Sequence, residues 1–456
     1  MPVSHARAAA FEILLRIETT DAYASEMLHA SRFAQLSPAD HGLLTELVMG
    51  VLRWRGLLDS KIAERSSQSL AKLDLEVLTA LRLGAYQILF LDRVPRHAAV
   101  NESVELVKSA HKRSAAGLVN AVLRKIERSA SDLNDGFSHP EWLVERWVKI
   151  YGAETARKIC EYDQRAPAQA IRIADAKAVE LRSTERTRAC PQPAEGASAP
   201  TRFLDELDAV GVQVEPGKLL STAFTVKSGD VTTTKAFRER RVMIQDEGSQ
   251  LVAMLVGRGN KKILDCCAAP GGKTRIIAEQ NPEAVVVAMD LHPQRAALLT
   301  KLVAASNVRV VGGDVRNMPV GGEFDRILMD APCSGTGTLA RNPEIKWRLK
   351  AEDLLRLQEY QVEILRAAMK LVSRGGRIVY STCSLEPEEN EAVIQKALEG
   401  NPSFHLVDCR NELEYLRVSG ELVWDGVDSL LRGPFLRTIP GVHPCDGFFA
   451  AVMEKE

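Results

Sequence analysis

The chain has 456 residues, 45% hydrophobic and 26% charged, with a formal net charge of −1. That length is too great for one compact core and predicts two or three domains. The near-neutral balance gives a polyanion no global attraction, so any nucleic-acid binding needs a local basic patch. The eight cysteines include no C-x-x-C pair, and Cys266 and Cys267 are adjacent, a spacing unsuited to one tetrahedral zinc. Reduced thiols and no metal are expected. The first twenty residues lack the continuous apolar region of a signal peptide, and no apolar run reaches membrane-spanning length. A soluble, cytoplasmic protein with no membrane partner is expected.

From Met1 to about Ser131 apolar residues recur three and four apart, as in 8–15, 43–48 and 78–90. Strand-like alternation is missing, so six or seven helices are expected. Pro95 opens a further helix, or the turn before it, that runs to Ser109. Between about 137 and 240 the character changes. Pro140 stands at a helix-start position ahead of Trp142 and Leu143, 170–173 reads as a short strand, and 204–214 as a helix then a strand. Residues 190–200 are rich in Pro and Ala and poor in large apolar side chains, the composition of a loop. This span reads as a small α+β module. From about Val242 short apolar runs at 263–265, 284–290, 308–311, 324–330 and 377–380 alternate with helical stretches, before a last strand at 447–453. Such alternation implies an α/β domain with a doubly wound, mostly parallel sheet and ligands at the carboxyl ends of its strands.

The most specific motif is Asp265-Cys266-Cys267-Ala268-Ala269-Pro270-Gly271-Gly272-Lys273-Thr274, a strand running into a small-residue turn and a helix. Small residues admit a ligand close to the backbone, and the helix start offers free N–H groups. A P-loop is excluded, because position 267 is Cys where that motif needs Gly, and Pro270 removes an N–H. Asp290 ends the next strand 18 positions after Gly272, where an acid can accept ribose hydroxyls. Asp314 closes the third strand, where it could meet an adenine amino group. A nicotinamide enzyme would need G-x-G-x-x-G, which is not present. Lys273 faces cofactor or substrate in this reading.

Cys333, in Asp330-Ala331-Pro332-Cys333-Ser334-Gly335, and Cys383, in Ser381-Thr382-Cys383-Ser384, follow the fourth and fifth strands. Neighbouring strands would put both thiols and Asp330 at one end of the sheet. That equipment suits covalent chemistry on an electron-poor ring. Cytosine C5 becomes nucleophilic when a thiolate adds to C6 and a carboxyl group at N3 stabilises the developing charge. A helix N-terminus beginning near Pro387-Glu388-Glu389-Asn390 could favour the thiolate, the acids of that first turn would work against it, and the sequence leaves the balance open. Which cysteine attacks is left open by this chemistry.

Five stretches together resemble the NOL1/NOP2/Sun family of RNA 5-methylcytosine methyltransferases. They are the Cys267 to Thr274 turn, Asp330 through Gly337, Arg341-Asn342-Pro343-Glu344-Ile345-Lys346-Trp347, Ser381-Thr382-Cys383-Ser384 and Asp446-Gly447-Phe448-Phe449. The resemblance implies S-adenosylmethionine as cofactor, bound by Cys267, Ala268, Ala269, Pro270, Gly271, Gly272, Lys273, Asp290, Asp314 and Asp330. It further implies Cys383 as nucleophile, Cys333 as the group assisting product release, and Asp330 as a catalytic partner. Leu81-Arg82-Leu83-Gly84-Ala85-Tyr86-Gln87, the stretch from Pro95 to Val104, and Gly117-Leu118-Val119-Asn120-Ala121-Val122-Leu123-Arg124 resemble the NusB-like helical RNA-binding domain. The implied organisation is a NusB-like domain at 1–135, a small α+β, RRM-like module at 136–240 and a Rossmann-like methyltransferase domain at 241–456. The implied activity is methylation of one 16S rRNA cytosine, on free or partly assembled RNA, by a monomer. A tRNA enzyme of the family would share the catalytic residues. A non-enzymatic NusB-like factor would leave both cysteine turns unemployed. Arg341 and Lys346 are candidate phosphate contacts, and Trp347 either stacks a base or anchors a core.

Overall fold

The computed structural model describes residues 3–30, 33, 35–128, 138–173, 199–259, 261–318 and 321–456. The expected loop at 190–200 lies outside them up to residue 198. Two compact units form, Met1–Pro167 with Thr338–Leu349, and Ala168–Gly337 with Lys350–Glu456. The span 136–240 contributes two helices to the first and three strands of a four-stranded sheet to the second. No helix among the described residues is long and apolar enough to cross a membrane.

The first unit is built of helices, with His5–Thr19, Pro38–Arg65, Leu75–Phe90, Arg96–Ser109 and Ala116–Leu123 around one apolar core. Pro38 occupies the first turn of its helix, and the Ser37 hydroxyl accepts from the Asp40 N–H at 3.1 Å, so the start is capped twice over. Helix Leu75–Phe90 lies at the centre, with every residue from Leu81 to Gln87 buried. Arg82 among them is neutralised by a two-pronged contact with Asp59 at 2.7 and 2.8 Å. A Cβ on Gly84 would lie 2.4 Å from Leu123 and 2.7 Å from Ser103. The three NusB-like motifs therefore meet at that glycine, and what they encode is close packing.

The excursion Thr338–Leu349 is part of this unit. Lys346 is 1% exposed, and its ammonium donates to the carbonyls of Arg53 at 3.0 Å and Ser138 at 2.5 Å. Burial pulls its pKa below the usual lysine range, opposed by the charge of Asp163. The Trp347 indole donates to the Leu52 carbonyl at 2.6 Å. Lys346 is thus not a phosphate contact, and Trp347 is an anchor: a buried cation is expensive, and these carbonyls occupy its donors.

In the second unit β1 (Gln169–Ile173), β2 (Gln213–Pro216), β3 (Ala223–Ser228) and β4 (Val242–Ile244) form an antiparallel sheet in the order β2-β3-β1-β4. The larger sheet comprises β5 (Lys262–Asp265), β6 (Val285–Asp290), β7 (Val308–Gly312), β8 (Phe324–Asp330), β9 (Val372–Thr382), β10 (Phe404–Val407), β11 (Leu431–Arg432), β12 (Phe435–Arg437) and β13 (Phe449–Lys455). Its order is β11-β12-β13-β9-β8-β5-β6-β7, with β10 paired to β13. The run from β7 through β9 is parallel, as expected, and β13 returns antiparallel beside β9.

Successive side chains of each central strand face opposite ways, and both faces are dry. Ile263, Val286, Leu328 and Val379 pack with helices Glu247–Met254 and Gly272–Gln280, whereas Leu264, Val287, Ile327 and Ile378 pack with Ala351–Met369 and Glu391–Leu398. Burial on both sides is why these strands read as continuous apolar runs.

Beyond β8, the N–H of Gly337 donates to the Cys383 carbonyl at 2.9 Å, and Gly337 accepts from Gly447 at 2.8 Å. A Cβ there would stand 2.2 Å from the Gly447 carbonyl oxygen, and neither partner is a movable side chain. Gly337→Ala is expected to destabilise the second unit by about 1–3 kcal/mol. Thermal unfolding should show a lowered transition; an unchanged one would contradict the close approach.

Candidate active site

Parallel pairing brings the carboxyl ends of β5, β6, β7, β8 and β9 to one edge of the sheet, and the candidate side chains cluster there. The chain leaves β5 at Asp265, turns, and enters helix Gly272–Gln280. Gly271 holds the turn at φ +112°, and a Cβ there would lie 2.3 Å from Val303, so both conformation and space call for glycine. Asp265 is buried. Its Oδ2 accepts from the Thr274 hydroxyl at 2.7 Å, and its Oδ1 has no partner among the described residues. Burial pushes its pKa up to about 7 against the Thr274 hydrogen bond, with the charge of Asp330 adding to the rise.

Asp330, at the end of β8, is held on both oxygens. Ser381 donates to Oδ1 and Lys273 to Oδ2, each at 2.7 Å. Burial works against the charge on Lys273, but Asp330 and the nearby Cys383 and Asp265 outweigh it and hold the pKa above the usual lysine range. A cavity of about 130 Å³ opens beside this pair, lined by Cys267, Ala268, Ala269, Pro270, Gly272, Lys273 and Asp330 from the predicted set. Asp265, Gln245 and Ser249 line it too. The Gln245 amide nitrogen donates to Ser249 at 3.2 Å, while its carbonyl oxygen has no partner among the described residues.

The Cys333 and Cys383 turns lie side by side because β8 and β9 pair in parallel with Asp330 opposite Ser381. Their sulfurs are 3.4 Å apart. Cys333, Cys383 and Cys267 are half-buried, whereas Cys160, Cys266, Cys409 and Cys445 are buried. The hydrogen bond to Cys383, then burial and the charges of Cys383 and Glu389, push the Cys333 thiol well above the ordinary cysteine range. Burial, then Asp265 and Asp330, raises Cys267 as well. The Cys333 thiolate is therefore disfavoured in the free protein.

Two other predicted residues stand apart from the cavity. Asp290, buried at the end of β6, accepts from the His292 N–H at 3.0 Å. Asp314 follows β7, but Arg316 grips its carboxylate, with contacts down to 2.5 Å, and that hydrogen bond lowers its pKa. Among the described residues no group of three or more His, Cys, Asp or Glu is placed to hold a metal ion. The sequence reading missed Asp265, Gln245 and Glu389. Asp265 had a signal, since it opens the small-residue turn. Glu389 turns inward to accept hydrogen bonds from Ser334, Ser384 and Gln361, and its charge adds to the rise of the Cys333 thiol.

Residues 252–454 match the model of the 16S rRNA methyltransferase RsmB/F family, and 4–128 match the NusB family. The chain is 34% identical to a probable ribosomal RNA small subunit methyltransferase B of Bacillus subtilis, over all of both chains. It is 31% identical to ribosomal RNA small subunit methyltransferase B of Vibrio cholerae, covering 100% of this chain and 98% of that one. Among solved structures, PH0851 aligns over all of both chains with a TM-score of 0.76 at 23% identity, a likeness of fold. By these full-length relatives and both domain matches, the chain belongs to the RsmB/F family of RNA methyltransferases and carries a NusB-family domain at its N-terminal end.

Proposed function

We propose that this protein transfers a methyl group from S-adenosylmethionine to C5 of a cytosine in 16S rRNA, with Cys383 bonding to C6 of the base and Cys333 assisting release. The observation that carries this reading is the 3.4 Å approach of two half-buried thiols beside an Asp330 carboxylate braced by Lys273. The names of the full-length relatives favour ribosomal RNA over tRNA as substrate.

The cofactor is tested by the chemistry of the cavity. Asp265 Oδ1 and the Gln245 carbonyl are acceptors awaiting a donor, next to a third acceptor, Asp330. An acceptor-rich pocket suits the ammonium and sulfonium of S-adenosylmethionine, so the residues fit. Asp265, Gln245 and the turn from Cys267 to Lys273 would hold it, with Asp290 at the ribose and Asp314 at the base. When bound it supplies an electrophilic methyl group. The work of this chain's residues is to make C5 nucleophilic. The Cys383 thiolate adds to C6, and the Lys273–Asp330 pair holds a proton toward N3, where charge develops. Release requires the C5 proton to leave and the C6–sulfur bond to break, its electron pair returning to Cys383. Cys333 takes that proton once its own has passed to solvent. A base within duplex RNA has to be unpaired to reach these groups.

Cys333→Ala is expected to accumulate a covalent protein–RNA adduct carrying 5-methylcytosine, seen as a band retarded on denaturing gels. Cys383→Ala should form neither adduct nor product. In a deletion strain one 16S cytosine should lose bisulfite protection, and wild-type but not Cys383→Ala protein should restore it. An unchanged 16S pattern, or an adduct formed by Cys383→Ala, would contradict the reading.

The raised pKa of Asp265 gives a pH dependence. The free protein retains that proton below about 7, and a cationic ligand group favours the ionised carboxylate and expels it. Affinity for S-adenosylhomocysteine, measured by calorimetry, should therefore tighten as pH rises toward about 7 and then level off. Asp265→Asn should flatten the profile; an equally flat wild-type profile would remove Asp265 from the site.

A further inference from the structure

Glu389 ends the short turn Pro387–Glu389 and is fully buried. Its Oε1 accepts from the Ser334 N–H at 2.8 Å and from the Gln361 amide at 2.9 Å. Its Oε2 accepts from the hydroxyls of Ser334 and Ser384, the latter at 2.5 Å. Ser334 directly follows Cys333, and Ser384 directly follows Cys383. A single carboxylate thus grips the residue behind each thiol. The two hydroxyls are also 3.1 Å from one another. Next to Glu389, Asn390 donates to the Ser384 carbonyl at 2.9 Å and accepts from the Thr382 hydroxyl at 2.5 Å, closing the same turn from its other side.

Every group bonded to Glu389 in this network is neutral, an unusual environment for a carboxylate that burial also disfavours. Packing alone would be served by an apolar side chain of similar size. What an apolar side chain lacks is four acceptor contacts, three of them spread over the two cysteine turns and the fourth on helix Ala351–Met369. We propose that Glu389 is a positioning residue for the two thiols, acting through Ser334 and Ser384 to fix the cysteine turns at the spacing where both reach one base. This inference deepens the methyltransferase reading above and rests on it for the base.

The arrangement separates geometry from charge. Glutamine has the same reach: its oxygen can keep the two N–H donors, and its NH₂ can donate to the two hydroxyls, which rotate to accept. Aspartate keeps the charge but is one methylene too short to span both turns. Glu389→Asp is therefore expected to slow single-turnover methylation by about 10- to 100-fold, the scale of an ångström misplacement. Glu389→Gln should recover most of that loss, and affinity for S-adenosylhomocysteine should stay at the wild-type value in both.

A second readout does not depend on the substrate. Diamide oxidation should join Cys333 to Cys383, followed by mass spectrometry of the linked peptides. Wild type and Glu389→Gln should cross-link at similar rates, and Glu389→Asp more slowly, because a disulfide tolerates little error in placement. Where Glu389→Asp does not fold, Ser384→Ala, which removes one bond to the same carboxylate, should shift both readouts in the same direction. Equal cross-linking in all variants would overturn the proposal, as would activity in Glu389→Asp alongside loss in Glu389→Gln. Failure of wild type to methylate cytosine while the cross-linking series holds would instead overturn the substrate reading and leave the positioning role standing.

Discussion

Parallel pairing of β8 with β9, with Asp330 opposite Ser381, governs where the reactive groups of the second unit stand. Parallel strands end at the same edge, so the turn after each opens at the same place. Ser381 is brought within a hydrogen bond of Asp330, and the two cysteines that follow are carried into contact. A shift of one residue in that register would invert every side chain of β9 relative to the two helical layers and separate the sulfurs. The dry faces of the sheet oppose such a shift, because Ile378 and Val379 are committed to opposite cores. Chemistry at the edge is thus specified by packing in the middle.

The same edge shows how burial sorts residues of one type into different roles. Among the cysteines of the described residues four are buried, while the three half-buried ones all lie at this site. Within the close pair the two sulfurs share a hydrogen bond, which together with burial raises the Cys333 thiol. Carboxylates divide as well. Asp330 is met by a lysine, Asp314 by an arginine, Asp265 by a single hydroxyl and Glu389 by neutral donors. The Arg316 hydrogen bond lowers Asp314, whereas burial raises Asp265 and Glu389 against the hydrogen bonds their neutral partners donate.

Much of this was legible in the sequence, for identifiable reasons. The central strands announced themselves as apolar runs because both of their faces are covered, and the acids at their ends marked the open edge. The NusB-like motifs were recognisable too, although Gly84 and its neighbours turn out to encode packing. What stayed hidden depended on distant partners. The stretch around Lys346 looks like a basic, aromatic binding surface, and only its long-range contacts with Arg53, Ser138 and Leu52 reveal an anchor. Gln245 and Glu389 were missed because a polar residue turned inward has the same letter as one in water. Asp314 was placed correctly at its strand end, but the arginine two positions on occupies its carboxylate.

The central claim is that Cys383, and not the thiol touching it, bonds to the base. RNA carrying 5-fluorocytosine in place of cytosine tests this most directly, since fluorine at C5 cannot leave as a proton does and the adduct persists. After incubation with S-adenosylmethionine and digestion of both protein and RNA, mass spectrometry of the nucleotide-linked peptide should place the modification on Cys383. A nucleotide attached to Cys333 would contradict the account.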